Sequence, residues 1–375
     1  MTAWFAATQP GPIPQSRFRE ISDAILALAQ PVRPRPHHML LEGLAVLAKE
    51  GLAAAAPTLR RGAKAIPDMS DEEVLRWGIA GTEATAAMWD QEGLLAVSSR
   101  LVKLLREAGA LAELPLNLYS LGVATTWIGD FAGAAAIAAE TDSIAAATGS
   151  HFPPFTLLRL QSLQGREREC SALVAGVIRQ TAASAEATSA TPAHWAAAVM
   201  YNGLARYQEA KVAALQAMMN TLDPSVTTFA LPELIEAAAR SGDHQLARDT
   251  LDRLAQTTQP AGNQFALGIE ARCRALLSGV AAADDLYREG IDRLTRTRLH
   301  PELARADLLY GEWLRRTGRR GEAREQLPTA RSSQSGWRPS PSEPAASCSQ
   351  PAKRCASEAP RFARSSHPRK SRLPG

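Results

Sequence analysis

Aromatic residues are scarce in this chain of 375 residues, at 5%, and alanine is very common. That balance favours helices and argues against a β-sandwich, and no convincing run of alternating strands occurs. Long apolar stretches are missing too. The nearest, around Phe131 to Ala147, is broken by Glu140 and Asp142, so it falls short of the roughly 18 residues a bilayer span needs. The opening MTAWFAATQPGPIPQ has no basic region followed by an apolar core, unlike a secretory signal. Cys170, Cys273, Cys348 and Cys355 show no CxxC spacing, which indicates neither a zinc ribbon nor a disulfide framework. A reduced, cytoplasmic protein is the expectation.

Catalytic signatures are equally absent. There is no GxxxxGK(S/T) phosphate loop, so ATP hydrolysis is not expected of this chain. There is no GxSxG elbow and no HExxH. His37 and His38 are adjacent in a Pro-rich stretch, where they cannot share a helical face for a metal. His151, His194, His244 and His300 fall at turns or helix starts and read as solvated or capping residues. Glu72 and Glu73 follow Ser70 as a helix cap rather than a catalytic pair. Cys170 stands where packing wants a small residue. Arg315, Arg316, Arg319, Arg320 and Arg324 gather at a helix end, where cations are favourable. No catalytic, cofactor-binding or metal-ligating residue is assigned, and the chain is not expected to be an enzyme.

The net charge of +4 misleads. Nine Lys or Arg and two acids lie from Pro328 onward, leaving 33 bases and 36 acids before it, a net of −3. The basic character therefore belongs to the last segment, which is rich in Ser, Pro and Arg and has too few aliphatic residues to order itself. Residues 328–375 are expected to be disordered.

What the chain does have is a recurrent small residue. Pro301 to Leu327 reads as two helices joined at Gly318, with Ala323 five residues on. The same spacing links Gly51 to Ala56, Gln91 to Ala96, Gly129 to Ala134, Gly165 to Cys170, Ala205 to Ala210 and Gly242 to Ala247. A weaker copy begins at Gly279. The steps between starts are 40, 38, 36, 40, 37, 37 and 39 residues, within the period of two-helix solenoid repeats. The expected architecture is an all-α, right-handed tetratricopeptide-like solenoid over residues 37–327. It is preceded by an N-terminal helix and a Pro-rich connection in residues 1–36.

Several stretches carry a family resemblance: EGLAAAAPTLRR, MWDQEGLLA, AVMYNGLARYQEA, LIEAAARSG, ALGIEARCRALL, LYREGIDRL and PELARADLLYGEWLRR. Across about residues 35–327 the chain resembles the helical middle region of large actinobacterial ATP-binding LuxR-family transcriptional regulators of MalT-like architecture. The resemblance implies an AAA-type ATPase before this region, where ATP would bind, and a helix-turn-helix after it; this chain shows neither motif. It also implies a sensor and scaffold role. A protein or small-molecule effector would lie in a concave groove formed by the first helices of the pairs, without direct nucleic-acid or membrane contact. The alternative is a free-standing protein-protein interaction scaffold.

The resemblance bears on the tail as well. Trp337 to Ser357 can be written in legal codons that, read from the third base, encode EAFAERARRELLATGETVRK, the type of helix that follows this region in the family. A frameshift between about Leu327 and Trp337 would make the tail an out-of-frame product. The coding DNA decides: a shifted frame that does not encode that helix removes the idea.

Overall fold

The structure, a computed structural model, describes residues 15–28, 33–149, 152–183, 190–219 and 224–332. Among these residues every regular element is helical, so the all-α expectation holds. A leading helix α1 (Gln15–Leu26) is followed by eight helical hairpins. They are α2 (Pro36–Glu50) with α3 (Leu52–Lys64), α4 (Asp71–Ala87) with α5 (Gln91–Glu107), α6 (Leu114–Ile128) with α7 (Phe131–Thr148), and α8 (Phe155–Leu163) with α9 (Glu167–Ala183). Then come α10 (Thr191–Gly203) with α11 (Tyr207–Met218), α12 (Pro224–Arg240) with α13 (His244–Ala261), α14 (Gln264–Leu277) with α15 (Val280–Thr295), and α16 (His300–Arg316) with α17 (Arg320–Ser332). Each helix packs on its neighbours in sequence, as in a solenoid. The tail beyond Ser332, His151 and most of the connection after α9 lie outside the described residues.

The turn inside each hairpin explains the spacing seen in the sequence. A residue with positive φ ends the first helix at Gly129 (+86°), Gly165 (+64°), Gly242 (+85°) and Gly318 (+86°). Glycine carries no Cβ penalty there. Asp130 and Asp243 then cap the second helix, accepting from the backbone N–H of Gly133 at 2.8 Å and of Leu246 at 3.4 Å. Such a cap stabilises a helix by about 1 kcal/mol.

The second hairpin differs from the expected register. Its left-handed residue is Trp89 (φ 56°), not Gln91, and Asp90 caps the helix. The buried partner is therefore Leu94, while Ala96 is exposed. At Gly51 and Gly279 the glycine itself sits in the cap position and the helix starts one residue later.

Counted from the helix start, the rule becomes uniform: the fourth residue of every second helix is buried. Ala55, Ala134, Cys170, Ala210, Ala247 and Ala283 are each 0% exposed, Ala323 is 3% and Leu94 is 4%. The Cys170 thiol meets the Leu158 carbonyl of the first helix of its own hairpin at 4.0 Å, and small size at such a position sets how closely the two helices approach. The backbones of α14 and α15 come especially near: a Cβ added at Gly290 would lie 3.1 Å from the Gly268 carbonyl oxygen.

Helices far apart in sequence also touch. α13 packs on α3, α12 on α4, and α16 on α6. Arg60 donates to the carbonyl of Pro260 at 2.8 Å, and Asn263 to that of Met88 at 2.8 Å. These contacts join one set of hairpins to another.

Candidate functional site

The first helices of the central hairpins carry almost no charge: α6 (LPLNLYSLGVATTWI) and α10 (TPAHWAAAVMYNG) have no Asp, Glu, Lys or Arg at all. A helix apolar on all sides must be buried on all sides. Large side chains meet between the first helices. Trp127 lies 5.5 Å from Phe229 and 5.3 Å from Phe265, both edge-on, and 6.0 Å from Trp195. Trp89 meets Phe229 at 5.2 Å and Phe265 at 5.4 Å, and its indole N–H donates to Thr257 at 3.3 Å. Aromatic pairs at such offsets add about 0.5–1.5 kcal/mol each beyond their buried area.

Set beside this cluster is a group of buried charges. Arg272 on α14 donates to Glu302 on α16 at 2.7 Å. Arg305 on α16 donates to Glu236 on α12 at 2.7 Å and stands 4.0 Å from Glu233. Arg240 on α12 pairs with Glu312 on α16. Glu233 also accepts from the Asn202 amide at 2.8 Å, on its side chain, and at 2.9 Å, on its carbonyl. Burial pushes the Glu233 carboxyl up, against the opposing pull of Arg305. Burial also works against the Arg305 charge, but Glu236 and Glu233 outweigh it and hold the guanidinium above its ordinary range.

Arg159 on α8 is the exception. Its guanidinium lies 4.1 Å from the centre of the Trp195 ring and 4.8 Å from that of Trp127. It is 3% exposed, and its Nε and Nη1 have no hydrogen-bond partner. Burial pulls it below the usual arginine range, with Glu302 and Glu233 opposing from a distance.

Arg159, Glu233, Glu236, Glu302, Arg305 and Glu312 line one pocket of about 150 Å³, to which α6, α8, α10, α12 and α16 all contribute. Arg159, Asn202, Tyr207, Glu233, Glu302 and Arg305 supply its polar wall, and Leu163, Val199 and Leu309 part of its apolar wall. The Asn202 Oδ1 is buried and accepts no hydrogen bond. Two residues of its wall, Arg159 and Asn202, thus carry buried donors without acceptors and a buried acceptor without a donor. A second pocket, of about 400 Å³, opens between Arg60, Trp89, Gln91, Asn263 and Leu299. The Gln91 amide beside it is 1% exposed, and neither its oxygen nor its nitrogen is paired.

Of the histidines, cysteines and arginines singled out in the sequence, His300 is the one among the described residues that lines the Arg159 pocket, at the start of α16. His37 and His38 lie in the first turn of α2 rather than in a loop. The His37 ring stacks on Trp77 at 4.8 Å, and His38 Nδ1 accepts from the Arg35 N–H at 3.1 Å. Burial and the neighbouring His38 pull His37 below the usual histidine range. His194 is half-buried inside α10, not solvated, and burial lowers its pKa. His244 is exposed at the start of α13. Ser70 and Glu73 form the expected capping box, with bonds of 3.2 and 3.0 Å. Burial pushes the Cys170 thiol up to about 12, and the Cys273 thiol likewise despite Arg272, so neither is a ready nucleophile.

Of the terminal arginines, Arg315, Arg316, Arg320 and Arg324 are exposed. Arg319 instead bridges Asp284, at 2.8 Å, and Glu322. Among the described residues no group of three or more His, Cys, Asp or Glu could hold a metal ion, and no helix is long and apolar enough to cross a membrane.

Sequence reasoning missed Arg159, Asn202 and Glu233. The available signal was the scarcity of charge itself: Arg159 is the sole charged residue in FTLLRLQSL. A charge kept on an otherwise apolar first helix marks a position in the interior. No protein-family model matches the chain, and no curated protein sequence does.

Proposed function

We propose that this chain is the sensor and scaffold segment of a LuxR-family transcriptional regulator, acting in the cytoplasm by binding an effector inside its helical array. It has no ATPase, DNA-binding or catalytic role of its own in this reading. The observation that carries the binding half is the Arg159 pocket: five first helices line a cavity that packing has not filled, and two of them bring to its wall Arg159 and Asn202, which hold buried polar atoms without partners. Buried polar groups without partners cost about 1–3 kcal/mol each, and a ligand that pairs them recovers that energy. The regulator half rests on the sequence resemblance and on the period of the hairpins.

A second reading, a free-standing interaction scaffold, draws on α11. Val212, Leu215 and Met219 are 58%, 39% and 72% exposed at helical spacing. The coding DNA on both sides separates the two. The regulator reading expects an ATPase-encoding frame upstream and, in the shifted frame downstream, the helix that leads to a helix-turn-helix. A separate promoter with a clean stop would leave the scaffold. Purified chain should show neither ATP hydrolysis nor operator binding; either activity would overturn the division of labour proposed here.

A further inference from the structure

We infer that the Arg159 pocket binds a small carboxylic acid that also carries a hydrogen-bond donor, an amino or hydroxy acid, with its carboxylate on Arg159 and its donor facing Asn202 and Glu233. The inference rests on the effector-binding reading above and names the effector's chemical class.

Four arginines and four glutamates belong to the buried charge group, and three pairs account for six of them: Arg272 with Glu302, Arg305 with Glu236, and Arg240 with Glu312. Glu233 is engaged by Asn202 and stands near Arg305, not against Arg159. Arg159 is left without a counter-ion in contact, 3% exposed, with Nε and Nη1 unpaired. The faces of Trp127 and Trp195 hold it, but a ring face cannot satisfy its N–H groups. A buried guanidinium in that state is costly, and a planar carboxylate is the group that matches its fork of donors.

The rest of the wall narrows the choice. Asn202 is 4% exposed and its Oδ1 needs a donor. A plain anion would leave it unmet. A dianion such as phosphate would face Glu233, Glu236 and Glu302, which line the same cavity. An amine without an acid would leave Arg159 unpaired and repel it. A compact molecule with both groups offers a partner to Arg159 and to Asn202, and about 150 Å³ suits a compact molecule.

The test uses the full chain, titrated by calorimetry and by tryptophan fluorescence, since two of the indoles stack on the binding group. The probes are glycine, alanine, serine, glycolate and lactate. Acetate serves as an acid without a donor, glycine methyl ester as a donor without an acid, and inorganic phosphate as a dianion. At least one amino or hydroxy acid is expected to bind, with acetate and phosphate at least tenfold weaker and the ester silent.

Arg159→Met should weaken binding at least a hundredfold while raising Tm, because the lone buried charge is gone. Arg159→Lys keeps charge without the fork and should weaken binding about tenfold. A lowered Tm with Arg159→Met would mark Arg159 as structural and count against the proposal. Gly203 lines the pocket and a Cβ there meets nothing within 4 Å, so Gly203→Phe should occlude the cavity without disturbing the fold.

A ligand from a broader metabolite panel that Gly203→Phe blocks, but that lacks a carboxylate or ignores Arg159→Met, would overturn the acid assignment and leave effector binding standing. Absence of any ligand sensitive to Gly203→Phe would overturn both.

Discussion

The seams inside the hairpins and the interior between the first helices are both buried, yet they are made of opposite materials. At the seams the fourth residue of each second helix is alanine in six of eight cases, with Cys170 and Leu94 in the others. The interior holds three tryptophans, two phenylalanines and a set of ionised side chains. A seam is a contact between two helix backbones, and only small side chains let them approach. The interior is where several first helices converge with room between them. Large rings and paired charges fill most of that room, and the Arg159 pocket is what they leave. One region is closed by shape; the other is held by partners, and its energy depends on each partner being present.

That contrast makes specific demands. The largest effect should come from breaking a pair in the interior. Glu302→Gln leaves Arg272 buried without its counter-charge and is expected to destabilise by about 3–5 kcal/mol in chemical denaturation. The double replacement Arg272→Met with Glu302→Leu should recover most of that loss. If the single variant is neutral, the interior is not held by its charges and the contrast fails.

At a seam, partner removal is irrelevant and added volume is what hurts. Ala247→Leu should cost about 2–3 kcal/mol, whereas Ala247→Gly should cost about 1 kcal/mol or less. Equal costs would show that the seam does not set helix approach.

A third test lies where the two regions meet, in the last hairpin. Asp307 on α16 is 1% exposed and accepts from Gln326 at 2.7 Å, with its other oxygen unpaired. Burial pushes its pKa up to about 6, with the Gln326 bond opposing. A carboxyl whose folded pKa is raised binds more protons in the native state, so stability falls as pH rises from about 4 to about 6 and then levels. Asp307→Asn should therefore stabilise by about 2 kcal/mol at pH 7, with the gain gone below about pH 4. A gain independent of pH would point to packing instead. The smallest effect belongs to a turn. Ala205 holds φ +58°, and Ala205→Gly should raise stability by about 0.5–1 kcal/mol in the same denaturation assay.

The hairpins are legible in the sequence because their physics is local. Gly129 followed by Asp130, and Gly242 followed by Asp243, state a helix end and the next start within two residues. Trp89 shows where this reading stops. No rule of residue preference places tryptophan in a left-handed turn, so spacing alone puts the register at Gln91 and Ala96. What holds Trp89 there is distant: Phe229, Phe265 and Thr257. The pocket escapes for the same reason. Nothing in the spacing of one hairpin says which helix of another it will meet, so Arg159, Asn202 and Arg305 give no sign of sharing a wall. Arg305 and its partner Glu236 are 69 residues apart. Separations of that size are set by how the hairpins stack, which the spacing of small residues does not encode.

Arg60 and Pro260 are 200 residues apart and share a hydrogen bond. In an open array each repeat feels only its neighbours, and the ends can fray alone. Here the early and late hairpins lean on one another, so losing either end removes support from the other. Such a chain should melt as a single cooperative unit rather than peel away repeat by repeat.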